Sequence, residues 1–133
     1  MSAILSLSDK KNLVELGTDL NRLGIQLIAS GGTATVLKNA GLKVQDVSDI
    51  TGAPEMLGGR VKTLHPAVHG GILARSADKD KQELASRGYH MIDFVICNLY
   101  PFQETISKEN VSISQAIEEI DIGKLNYLNI KEV

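Results

Sequence analysis

The sequence predicts an α/β fold: a three-layer, Rossmann-like domain with a parallel sheet between helices. Two observations lead there. Short, continuous apolar runs recur at residues 3–7, 25–29 and 92–99, without the polar alternation of a half-exposed strand, which is the pattern of parallel strands buried on both faces. Between them lie stretches of helical spacing closed by Gly24, Gly41 and Gly88, and strand–helix alternation with tight turns implies a parallel sheet.

Taken in order, residues 3–7 form the first strand, and Ser8 and Asp9 close it. From Asp9 the period changes, with Leu13, Leu16, Leu20 and Leu23 at helical spacing before Gly24. Residues 25–29 form the second strand, and Ser30, Gly31, Gly32 and Thr33 open a helix over 34–40. The third strand, 42–47, is weaker because Lys43, Gln45 and Asp46 interrupt it. His65 followed by Pro66 marks a helix start with proline at its first position. Residues 78–87 read as a polar, peripheral helix ending at Gly88. Residues 92–99 are the most apolar strand, expected at the centre of the sheet. Ser112 with Gln115 makes a capping box for an amphipathic helix over 112–120, whose apolar face is Ile113, Ala116, Ile117 and Ile120.

Bulk properties exclude several classes. The 133 residues suit one domain. A net charge of −2 with 4% aromatics argues against nucleic-acid binding. No apolar run approaches the roughly 20 residues of a membrane span, and the N-terminus lacks the basic start of a signal peptide. A single cysteine, Cys97, fits a reducing compartment, so a cytoplasmic location is expected.

Residues 58–71 are chemically distinctive. They hold four of the twelve glycines, two of the three histidines, and Arg60, Lys62 and Thr63. No acidic residue occurs from 56 to 77 in a chain that is net acidic, which is the local chemistry of an anion site; the alternative is a basic surface loop. Three strand ends carry polar tips: Ser8, Asp9 and Lys10; Ser30 to Thr33; and Asn98 with Tyr100. In an open parallel sheet these ends are where ligands bind. The Ser30 turn supplies free N–H groups and a helix dipole suited to phosphate, or simply a turn and N-cap. Lys10 falls in the first turn of its helix, where a cation opposes the dipole unless an anion or solvent accommodates it. His65 and His69, four apart, could ligate a metal, but packing or hydrogen bonding is the expected role. Cys97 reads as an inert thiol in an apolar strand. Tyr100 could cover a ligand ring or pack, and Asp121 could be an acid or base or close an Asx turn.

Together, in order and spacing, residues 6–10, 29–33, 54–66, 98–102 and 120–123 closely resemble the IMP cyclohydrolase domains of bifunctional purine-biosynthesis proteins that also carry AICAR transformylase. The resemblance implies a methylglyoxal-synthase-like fold and a reaction: the carboxamide nitrogen of the formylated AICAR nucleotide attacks the formyl carbon, water leaves, and IMP forms. It implies no cofactor and no metal, a small-molecule nucleotide as partner, and a homodimer. By the same resemblance Ser8, Asp9, Lys10, Ser30, Gly31, Gly32, Thr33, Arg60, Val61, Lys62, Thr63, Cys97, Asn98, Asp121, Ile122 and Gly123 hold the nucleotide, with Lys62, Tyr100 and Asp121 catalytic. The family pattern continues after Asp-Ile-Gly to a catalytic lysine, where ungapped counting places Val133 in this chain; Lys124 and Lys131 are nearby substitutes. The chain is therefore expected to be one domain without the transformylase, binding IMP-like nucleotides and cyclising slowly or not at all. Two other functions share the fold. One is the nucleotide-sensing module of carbamoyl phosphate synthetase, which binds without turnover. The other is methylglyoxal synthase, whose Gly-Asp pair does not occur here.

Overall fold

The computed structural model describes residues 1–54, 56–57, 61–98, 106–108 and 110–112. Its elements follow the order β1 (Ser2–Ser6), α1 (Leu13–Arg22), β2 (Gln26–Ala29), α2 (Gly31–Asn39), β3 (Val44–Asp46), α3 (Val47–Thr51), α4 (Pro66–Leu73), α5 (Asp78–Ser86) and β4 (Phe94–Cys97). The four strands form one parallel sheet in the order β3-β2-β1-β4.

Successive strand residues point to opposite faces, and in β1 and β2 both faces are apolar. Ala3, Leu5, Leu27 and Ala29 pack with Leu13, Ala34 and Leu37 on the side of α1 and α2. Ile4 and Ile28 pack with Val47, Val68 and Ile92 on the side of α3 and α4. This two-sided burial produces the continuous apolar runs of the sequence and gives the three-layer arrangement.

Several expectations shift. β4 lies at an edge of the sheet among the described residues, pairing β1 alone, with Phe94 42% exposed. Its apolar residues are half-buried, Ile96 against one cluster and Val95 against the other, and an apolar run carries no information on lateral order. Helix α1 starts three residues after Lys10, behind Asn12 in the left-handed region at φ 60°. Its buried face is Leu13 and Gly17, with Leu20 packed against the core, while Leu23 is 72% exposed. Helix α2 begins at Gly31, so the glycines form its first turn rather than a preceding loop. The short helix α3 was not expected; Asp46 and Asp49 close a capping box around its start. The α4 start is as expected: Pro66 is at its first turn, and the His65 imidazole Nδ1 accepts the Ala67 N–H at 3.1 Å. Helix α5 is peripheral, with Leu84 its buried residue. The helix expected over 112–120 lies, beyond Ser112, outside the described residues.

Candidate functional site

Connections from β1 run outward to β2 and β3, and the chain then returns to place β4 on the other side of β1. The sheet therefore switches direction between β1 and β4, and such a point opens a crevice at the strand carboxyl ends. The register puts Leu5 beside Ala29, Ala29 beside Asp46, and Ser6 beside Cys97. The segments that follow, carrying Ser8 to Lys10, Ser30 to Thr33 and Asn98, consequently share one edge.

Ser30 is the N-cap of α2, extended and making no side-chain cap hydrogen bond. The first N–H groups of a helix have no intrahelical acceptor, and they form its positive end. Two lysines converge there. A methyl group placed on Gly31 would lie 2.7 Å from Lys62 Nζ, and one on Gly32 would lie 3.2 Å from Lys10 Cε and 3.5 Å from its Nζ. Gly31 has φ +52°, a conformation that favours glycine. The glycines thus do two things: they allow the backbone path, and they leave room for ammonium groups against the helix head.

Lys62 and Gly31 also line a cavity of about 210 Å³ with Ser30, Asp46, Val47, Ser48, Ala53 and Pro54. Asp46 and Ser48 were absent from the residues selected by sequence. The signal for them was the Asp46 and Asp49 spacing that starts α3. The Asp46 carboxylate is held by Lys38 Nζ, so the acid in this wall is ion-paired.

The loop over residues 7–10 is tied from both sides. Leu7 N–H donates to Thr33 Oγ1 at 3.2 Å, and the hydroxyl donates back to Leu7 carbonyl at 3.2 Å. Ser8 N–H donates to Asn98 Oδ1 at 2.6 Å, and Asn98 Nδ2 donates to Asp9 carbonyl at 2.8 Å. Lys10 Nζ donates to the carbonyls of Leu7 at 3.3 Å and Ser8 at 3.2 Å. Lys10 thus lies in this loop rather than on α1, and backbone carbonyls, not solvent alone, offset its charge. Asp9 Oδ1 accepts the Lys11 N–H at 2.9 Å, an Asx turn. Cys97 is a partly buried free thiol at the end of β4.

Val61 forms an antiparallel bridge with Met56, and Lys62 and Thr63 follow it directly. Thr63 carbonyl accepts the His65 N–H at 2.8 Å. His65 caps α4 and meets Tyr89 edge-on at 6.2 Å, and His69 Nδ1 is 3.4 Å from His65 carbonyl. Among the described residues no group of three or more His, Cys, Asp or Glu side chains is placed to hold a metal. Arg60, Tyr100, Asp121, Ile122 and Gly123 lie outside the described residues, as do Lys124 and Lys131. Among the described residues no helix is long and apolar enough to cross a membrane.

Fold and site together define a three-layer parallel α/β domain with a cationic, glycine-lined recess at the strand carboxyl ends. Residues 12–125 match the family described as the MGS-like domain, and the chain belongs to that family. It is similar to the bifunctional purine biosynthesis protein PurH of Acetivibrio thermocellus, 54% identical over 122 residues. The protein of the same description from a Synechococcus species is 58% identical over 123 residues, and that from a Cyanothece species 57% over 123. Each alignment covers 91% of this chain and 24% of the relative, so the chain spans about a quarter of the length of these curated relatives. A solved structure described as the crystal structure of ForH superposes with a TM-score of 0.80 at 39% identity, covering 95% of this chain and 64% of that one. The resemblance read from the sequence, and the fold it implied, are thereby borne out.

Proposed function

We propose that this domain binds a purine mononucleotide and is an IMP cyclohydrolase, closing the ring of the formylated AICAR nucleotide with loss of water. The observation that carries the binding half is the convergence of Lys10 and Lys62 on Gly32 and Gly31 at the head of α2. Ammonium groups, a helix N-terminus and side-chain-free backbone are the donor set for a phosphate dianion. The similarity to purine biosynthesis proteins supplies the substrate class.

Ring closure joins two substituents of one molecule, so positioning accounts for much of the rate. The carboxamide nitrogen adds to the formyl carbon and gives up one proton as the oxygen gains one. The carbinolamine hydroxyl then takes a second proton and departs as water, while the former formamido nitrogen loses its proton to form the ring C=N bond. A phosphate fixed at α2 would anchor the nucleotide while the base lies over the β1–β4 crevice. In this reading Lys62 stands between phosphate and base and stabilises developing oxyanion charge, while Tyr100 and Asp121 handle protons. Arg60 and Thr63 join the phosphate set. No cofactor is required, and a homodimer remains part of the proposal.

Calorimetric titration with IMP tests the binding half, and absence of any heat at millimolar ligand would overturn it. Ultraviolet assay of formyl-AICAR nucleotide closure tests the chemistry. Slow turnover is expected, since ungapped counting places Val133 at the family's lysine position. Turnover at full-length rates would overturn that expectation, whereas binding with no detectable turnover fits a nucleotide-sensing module equally well.

A further inference from the structure

Asn98 spends its carboxamide on the protein. Its oxygen takes the Ser8 N–H at 2.6 Å and its nitrogen gives to Asp9 carbonyl at 2.8 Å. The assignment of O and N is fixed by chemistry: a backbone N–H must meet the oxygen, and a backbone carbonyl must meet the amide nitrogen. The two contacts span the β1–β4 boundary, joining the residue after β4 to the loop after β1. On the opposite side Thr33, in the first turn of α2, holds Leu7 by reciprocal bonds of 3.2 Å. Between these two fastenings lie the Leu7 and Ser8 carbonyls that receive Lys10 Nζ. The location of the Lys10 ammonium against Gly32 is therefore set by a loop pinned at one end by α2 and at the other by Asn98.

We infer that Asn98 is a positioning residue: its carboxamide latches the loop over residues 7–10 so that Lys10 is presented to the anion at the head of α2. This assigns Asn98 an action through Lys10, in contrast to direct contact with the base. It rests on reading the head of α2 as a phosphate site. An aspartate in its place could accept from Ser8 but could not donate to Asp9, and an alanine could do neither.

The test is a double-mutant cycle read with three probes, inorganic phosphate, IMP and inosine, titrated calorimetrically into the whole chain, Asn98→Ala, Lys10→Ala and the double variant. With both latch bonds gone, phosphate affinity is expected to fall about fivefold, the scale of a net hydrogen bond or two. In the Lys10→Ala background the same change is expected to cost nothing further, because the group it positions is gone. Inosine, which lacks phosphate, separates the alternatives: a base-contacting Asn98 weakens inosine and spares phosphate, which overturns the proposal. Equal loss in both backgrounds also overturns it, as does a chain that binds no phosphate at all. Phosphate binding that follows the cycle while IMP fails to bind leaves the latch standing and sinks the nucleotide reading. Should Asn98→Ala fail to fold, amide exchange at Ser8 in the unaltered chain serves. Its N–H is expected to exchange more slowly when phosphate is added, and unchanged exchange at saturating phosphate refutes the latch.

Discussion

Lys10 and Lys62 reach adjacent residues from separate loops, Lys10 at Gly32 and Lys62 at Gly31, both in the first turn of α2. Like charges gathered at the positive end of a helix repel one another, and an anion sharing the site relieves that repulsion. Lys10→Ala and Lys62→Ala are each expected to weaken IMP binding by on the order of tenfold or more, the scale of a charge-assisted hydrogen bond. Each is also expected to flatten the dependence of affinity on salt, because one cation no longer contributes. Titrations at two ionic strengths read both effects, and unchanged affinity in either variant would remove that lysine from the site.

The two glycines should respond differently to the same added methyl. Gly31 has φ +52°, so Gly31→Ala is strained regardless of space, at about 1–2 kcal/mol, and it also displaces Lys62 Nζ. Gly32 has no such angle, and its new methyl would meet only the flexible end of Lys10. Gly32→Ala is expected to leave folding stability level or up to about 1 kcal/mol higher, from the helix preference of alanine. Denaturant melts together with IMP titration check this pair. Equal loss of stability in both would show that backbone angle is not what selects glycine at Gly31.

The sequence made the layered core legible because β1 and β2 bury both faces, which leaves apolar runs without alternation. It made the cation-rich turn legible because Ser30, Gly31, Gly32 and Thr33 are chemically unusual together. Lateral strand order was not legible: β4, at the sheet edge among the described residues, reads as apolar as β1 at its interior, although its residues are only half-buried. Helix starts were misplaced where backbone angles intervene. Asn12 in the left-handed region delays α1, and Gly31 in the same region still opens α2. Asn98 was legible as a polar residue at a strand end; that its amide bonds the Ser8 and Asp9 backbone depends on strand neighbours distant in sequence.

Packing on the α1 side rests on a glycine for a different reason. A methyl on Gly17 would fall 2.6 Å from Leu37 Cδ2 and 3.0 Å from Leu42 Cδ1. Leu37 is fully buried, so it has little room to withdraw. Gly17→Ala sets helix propensity, worth about 1 kcal/mol in its favour, against overpacking of about 1–3 kcal/mol. Net destabilisation is expected, larger for Gly17→Val. A rise in the thermal midpoint of Gly17→Ala would show that the leucines repack freely.

Away from the site, Arg75 and Asp80 tie the entry of α5 to the preceding turn. Asp80 accepts from Arg75 backbone N–H at 2.9 Å, from Nε at 2.8 Å and from Nη2 at 3.0 Å. These bonds, first the guanidinium and then the backbone N–H, hold the Asp80 carboxyl at about 2, down from 3.8. A carboxyl that ionises more readily when folded releases protons on folding, so its contribution to stability is complete above its ordinary value. It declines as pH falls from 3.8 towards about 2. The guanidinium is largely in solvent, so the effect is a modest one. Asp80→Asn is accordingly expected to melt slightly below the parent at neutral pH, with the two midpoints converging as acid is added. Melting curves of both chains from neutral pH down into the acid range measure the gap. A gap that stays constant through that range would mean that Asp80 acts by shape and neutral hydrogen bonding rather than by its charge.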